Sequence, residues 1–183
     1  MAYSSSKAPS KIPMIIFIMV AVVLVVGLLV ANLIVDAKFA YDYENGSYIF
    51  DTIDDLNFLN DYVVDMEVED VNVGELRYTA SKVACIEYKG QYFNLFAYEF
   101  ESAEDALTYA STVAGTDVKQ ALEAANAQSG HFNSSMTSLL GSRITKITMI
   151  NQNKVLHVLI SGLGKKLEYE FITWLMSNLP TQV

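Results

Sequence analysis

The sequence predicts an α+β domain carried behind a single N-terminal transmembrane helix. Three observations carry that expectation. An uncharged apolar run occupies 12–35. After it, segments with apolar residues at every second position give way to segments with the helical spacing of three and four. The order strand–turn–strand–helix occurs twice, near 82–114 and near 143–179. The repeat is one of pattern, with little residue identity between the copies. Short turns between the paired strands demand antiparallel pairing. The fold expected is therefore an antiparallel sheet with helices packed mainly on one face.

The run from Ile12 to Val35 holds 24 residues and no charge. As a helix it would reach roughly 36 Å, enough to cross a hydrocarbon core of about 30 Å. A cleaved signal peptide is the rival reading, but its apolar region is normally about 7 to 15 residues. The cleavage candidates, Leu29-Val30-Ala31 and Val35-Asp36-Ala37, match the small-residue pattern poorly. Residues 1–11 are then a short polar tail bearing Lys7 and Lys11, against Lys38 alone on the far flank. Counting Lys and Arg places the tail in the cytoplasm and everything after the span outside it. The expected location is the cell membrane, with the bilayer itself as partner through 12–35. A linker at 36–47 would precede the domain at 48–183. Phe39, Tyr41 and Tyr43 suit the headgroup layer, and their spacing of two also suits a first strand.

Charge divides the chain. Residues 1–76 carry three lysines against twelve acids, which accounts for the whole net charge of −9. Nine basic and nine acidic residues balance from 77 onward. Between Phe39 and Leu76 there are eleven acids and no base. Nucleic acid and anionic lipid surfaces both require a basic patch, so nucleic acid is not an expected partner of the protein and neither is electrostatic docking on anionic lipid; the acidic part of the domain is 48–76.

Within the domain, Asp51 or Thr52 caps a helix with Ile53, Leu56, Leu59 and Val63 on one face. Asp51, Asp54, Asp55 and Asp61 are oxygen donors, but their spacing is not that of a calcium loop and no Gly makes its turn. They read as a solvated acidic face. Met66 to Asp70 alternates as a short strand would. Lys82–Glu87 and Gln91–Phe100 form a hairpin about Lys89-Gly90. The second strand is aromatic on both sides, as in a central strand covered twice or a sheet meeting a partner. Ser102 opens a helix that Gly115 closes, and a shorter helix starts at Thr116 or Asp117. Ala127 to Gly141 is rich in Ser, Asn and Gly and reads as a loop with a turn near 136–140. Arg143–Ile150 and Val155–Ile160 form the second hairpin. A final helix carries Leu167, Phe171, Trp174, Leu175 and Met176, with Pro180 beyond its end. Asn45-Gly46-Ser47 and Asn133-Ser134-Ser135 match the N-glycosylation sequence, relevant only in a eukaryotic secretory setting.

No stretch carries a specific catalytic, cofactor or metal motif, so no catalytic, cofactor-binding or metal-ligating residue is assigned. Gly162-Leu163-Gly164-Lys165-Lys166 lacks the first Gly and the hydroxyl of a phosphate loop. The lone Cys85 forbids an internal disulfide and reads as a buried strand residue. His157 lies in a strand and His131 in the polar segment. A Cys85–His157 nucleophile pair has no activating neighbour in the sequence. Trp174, Phe171, Tyr92 and Phe96 read as core rather than as a ligand cage. The function expected is that of a non-catalytic interaction module, tethered beside the membrane for another membrane or envelope protein or for self-association. A small-ligand or cation sensor is the alternative, and an enzyme with a non-local site comes third.

Overall fold

The computed structural model describes residues 12–38, 50–137, 143–162 and 164–180. The chain divides into two units, Met1–Ala40 and Tyr41–Val183. The first contains helix α1, Ile12–Lys38. Its stretch Met14–Ala31 has a mean hydropathy of 3.3 and no part of it is buried. By length and composition it is able to cross a membrane. The helix runs three residues past the apolar run at 12–35. The N-terminal tail, the Phe39, Tyr41 and Tyr43 stretch and the Asn45-Gly46 turn lie outside the described residues.

The second unit is α+β. Its elements are a 3-10 helix (Ile53–Tyr62), β1 (Val63–Val64), β2 (Tyr78–Tyr88), β3 (Gln91–Phe100), α2 (Ala103–Ala114), α3 (Val118–Ala125), β4 (Ser129–Thr137), β5 (Arg143–Asn151), β6 (Lys154–Ser161) and α4 (Lys165–Asn178). The strands form one six-stranded antiparallel sheet in the order β1-β2-β3-β6-β5-β4. Local chemistry sets the hairpins and caps. Lys89 and Gly90 both take positive φ, 51° and 75°, the backbone of a tight two-residue turn that matches strand twist. The Ser102 hydroxyl accepts from the Asp105 amide at 3.0 Å to open α2, and Gly115 at φ 71° closes it. Asp117 caps α3 by accepting from the Gln120 amide at 2.9 Å.

Helices cover both faces of this sheet, not mainly one. Phe93, Leu95 and Ala97 of β3 join a core with Phe171, Ile172, Leu175 and Met176 of α4 and with Leu56 and Leu59 of the 3-10 helix. The intervening Phe96, Tyr98 and Phe100 join another with Tyr109, Ala110 and Val113 of α2 and Val118 and Leu122 of α3. The cause is the aromatic content of β3. A strand apolar on both sides exposes one side unless a layer packs on each.

Three local expectations are corrected. The first short helix is a 3-10 helix, its start held by the Glu99 carboxylate, which accepts from the Ile53 amide at 3.0 Å. Met66–Asp70 is not a strand. The residues that pair are Val63 and Val64, and the chain beyond them is irregular until Tyr78. The largest correction is β4. Ser129–Thr137 falls in the segment that composition reads as a loop, yet it pairs without interruption against β5, from Ser129↔Asn151 to Thr137↔Arg143. A ready partner strand overrides weak strand propensity. The turn expected near 136–140 falls mostly outside the described residues.

Candidate functional site

Two features of the second unit have the chemistry of a site: a buried polar cluster under α2, and the outer edge of β4.

The cluster forms where the irregular chain after β1 crosses the α2 face of the sheet. Asp70 is buried there. Its Oδ2 accepts from the Tyr109 hydroxyl at 2.5 Å. Its Oδ1 accepts from the Asn72 amide at 3.0 Å and from Asn72 Nδ2 at 2.8 Å. The Tyr98 ring meets that of Tyr109 edge-on at 5.2 Å. Burial, then the Asp70 carboxylate, pushes both phenols well above their ordinary range, so both stay protonated and Tyr109 remains a donor.

His157 lies on the same face. Its Nδ1 is 3.0 Å from the Thr148 hydroxyl and its ring stacks on Phe96, with centroids 5.9 Å apart. Burial, followed by the Lys146 ammonium, lowers its pKa to about 4 against the opposing pull of Asp70. At neutral pH it is an uncharged imidazole closed in by the sheet. Cys85 is also buried, with its sulfur 3.9 Å from that of Met66, and burial raises its pKa. Cys85 pairs with Asn94, whereas His157 pairs with Phe96 on the other side of β3. One strand therefore separates the two, and the nucleophile pair is not assembled.

The acids at 51–61 are spread over separate tasks. Asp55 Oδ2 accepts from the amides of Asp51 and Thr52, at 2.9 and 2.8 Å. Asp51 meets Lys154 at 3.3 Å, and Asp54 accepts from Asn57 Nδ2 at 3.3 Å. Among the described residues, no group of three or more His, Cys, Asp or Glu side chains is placed to hold a metal ion. Phe171 and Phe96 are core residues and Trp174 packs at the core's margin, but Tyr92 is 51% exposed. A cleft of about 380 Å³ lies between α2, α3 and the end of β5, lined by Leu107, Leu122 and Ile150 with Lys119, Glu123, Gln128 and Gln152. It contains none of the buried polar groups named above.

The β4 edge is the other feature. Among the described residues β4 pairs only with β5. Gln152 N donates to Gln128 O, and Gly162 N to Arg143 O. These bonds set the ladder phase: Gly130, Phe132, Ser134 and Met136 turn their amides toward β5, and Ser129, His131, Asn133, Ser135 and Thr137 turn theirs outward. No Asp, Glu, Lys, Arg or Pro interrupts the strand. The side chains of residues 133–136 are exposed, Met136 to 70%. The opposite edge is different: β1 is two residues long and exposed Asp61, Asp65, Glu67 and Glu69 flank it.

Sequence reasoning missed both features. The alternation Phe132, Ser134, Met136 was the available signal for β4. Nothing distinguishes Asp70 from the acids around it except Asn72 two positions on, which suits a local side-chain turn. No protein-family model, curated protein or solved structure matches the chain.

Proposed function

We propose that this is a single-pass membrane protein, anchored through 12–35 with its N-terminus in the cytoplasm, whose outer domain is a non-catalytic interaction module. Its partner is another membrane or envelope protein or a second copy of the chain. The observation that carries the reading is the β4 edge: nine residues without Asp, Glu, Lys, Arg or Pro, and paired on one side among the described residues. Folded proteins blunt such edges with charge, proline, bulges or shortness, and β4 has none of these. The length and apolarity of α1 support the anchor. Lys7 and Lys11 against Lys38 support the orientation. The non-catalytic reading is supported by the way Tyr109, Asn72 and Thr148 occupy Asp70 and His157. The order β2, β3, α2 and then β5, β6, α4 supports a pattern used twice.

Mild extraction of the full chain followed by native mass spectrometry tests this. A stoichiometric partner or a homo-oligomer is the expected result. A lone protomer carrying a small ligand or ion overturns it and favours the sensor reading. The cleft of about 380 Å³ is the observation behind that second reading, since it falls within the size range of small-molecule pockets. Protease added to intact cells should remove the domain, and protection would overturn the orientation.

A further inference from the structure

We propose that the part of the sheet left bare beyond α2 is a docking surface on which a partner protein lays one amphipathic helix with a carboxylate among its apolar side chains. The inference rests on the interaction-module reading. It adds a second surface to the β4 edge and gives the chemistry of its occupant.

Strand registers line the side chains of the α2 face into rows that cross the sheet. Ile150, Val155 and Tyr98 form one row and Thr148, His157 and Phe96 the next, and all six are buried. Lys146, Leu159 and Asn94 form a third row, and these are only half-buried. In the fourth row Met136 pairs with Ile144, and Tyr92 lies two residues before Asn94 on the same side of β3. These three are 70%, 39% and 51% exposed. The other face has no such gradient: Leu156, Val158 and Ile160 of β6 are buried along the whole strand. Helices α2 and α3 join the core of the first two rows. The third and fourth rows have apolar side chains and an incomplete cover, the mark of an interaction site. Tyr and Met are also among the residues enriched in interfaces.

Size and charge define the occupant. From β3 to β4 the bare strip crosses four strands, about 14 Å at about 4.8 Å per step, and its two rows are about 7 Å apart. One helix about 10 Å wide fills it, and ten residues of helix span about 15 Å. Lys146 stands within the strip, with Ile144 two residues away on β5 and Leu159 opposite on β6. Among the described residues no carboxylate lies within ion-pair distance of its ammonium. A purely apolar cover would strand that charge, so the cover must bring an anion. A single ammonium is not the polybasic cluster that an anionic bilayer requires. A second copy does not supply the helix either. The apolar sides of α2, α3 and α4 are buried in the two cores, and Met14–Ala31 of α1 carries no acid.

The test uses the full chain in its native membrane with a photo-reactive benzophenone side chain as the probe. Tyr92→p-benzoylphenylalanine should cross-link on illumination to one foreign protein, and Asn57→p-benzoylphenylalanine, on the exposed side of the 3-10 helix, should not. Peptide mapping should place the cross-link in a helical segment with Asp or Glu among apolar residues. Adding Lys146→Glu or Met136→Glu should cut the yield roughly tenfold or more, because each sets like charges together. Lys146→Arg should retain it. Both glutamate variants should keep the thermal midpoint of the domain within a few degrees, which separates docking from folding. Reversing the mapped acid of the partner to Lys should restore the cross-link to Lys146→Glu.

A cross-link that ignores both glutamate variants, or that returns this chain itself, overturns the proposal. A partner that cross-links through Asn133→p-benzoylphenylalanine on β4 and never through position 92 overturns this surface but retains the interaction module. No foreign protein or second copy at either position overturns both.

Discussion

The Tyr109 hydroxyl donates a 2.5 Å hydrogen bond to the Asp70 carboxylate across 39 positions of sequence. One partner is on α2 and the other is on the irregular chain after β1. The bond therefore pins the acidic segment to the sheet's second core. Val68, Val73 and Leu76 pack on that core around it.

Removing the donor leaves a buried carboxylate short of a partner. A hydrogen bond to a charged group contributes about 1.5–3 kcal/mol, so Tyr109→Phe should destabilise the domain by about 2 kcal/mol in urea unfolding. Asp70→Asn keeps an acceptor oxygen and should cost less. Limited proteolysis between 65 and 77 should quicken in Tyr109→Phe before the rest of the domain becomes susceptible. Equal loss everywhere would show that the bond does not act as a local pin.

His157 makes stability depend on pH in a definite direction. Its folded pKa is about 4 and its ordinary value is 6.5. Between those values the unfolded chain binds a proton that the folded chain does not, so stability rises with pH through this window. The contribution is fully present above pH 6.5 and is lost as pH falls to about 4. At about 1.4 kcal/mol per pH unit, the loss approaches roughly 3 kcal/mol. Unfolding midpoints measured from pH 7 to 4 should fall steeply, and His157→Gln should flatten that part of the curve. An unchanged slope in the variant would assign the dependence to other groups.

Phe93 and Phe171 stack with ring centroids 3.8 Å apart and planes 4° from parallel. They fasten α4 to the central strand, with Tyr88 and Trp174 packed alongside. Phe171→Ala should cost about 3–5 kcal/mol, the range for emptying a buried phenylalanine site. Tyr92→Ala, one residue from Phe93 on an exposed part of the same strand, should stay within about 0.5 kcal/mol. Chemical denaturation of the two variants side by side gives the comparison.

Alternation and turn chemistry made most of the sheet legible in advance. Lys89-Gly90 marked one hairpin, and Ser102 and Gly115 bounded α2 at the observed positions. What stayed hidden depends on contacts distant in sequence. Ser129–Thr137 is a strand because β5 offers it nine partners, and its own composition suggests a loop. The second helical layer was implicit in Phe96, Tyr98 and Phe100, but periodicity cannot tell a helix of the same chain from a foreign partner as the cover. Asp70 and His157 became a shared buried face only when α2 packed over the sheet. That placement is set by side-chain volume, which has no local signature.

Arg143 Nε lies 3.2 Å from Glu168 Oε2, and both side chains are largely removed from solvent, at 15% and 8% exposure. The same guanidinium reaches Ser135 Oγ through Nη2 at 2.7 Å, joining the first turns of α4 to both β5 and β4. Desolvation offsets much of the attraction in such a pair, so its intact form adds little net stability. Breaking it is another matter. Arg143→Met leaves the Glu168 carboxylate buried without its counter-charge and should cost about 3–5 kcal/mol. Adding Glu168→Leu removes the stranded charge, so the double variant should regain most of the loss. Because Ser135 also loses its donor, recovery should be incomplete by roughly 1 kcal/mol, the typical worth of one hydrogen bond. A double-mutant cycle in urea measures these values. If Arg143→Met alone proves mild, water reaches Glu168 and the pair behaves as a surface contact.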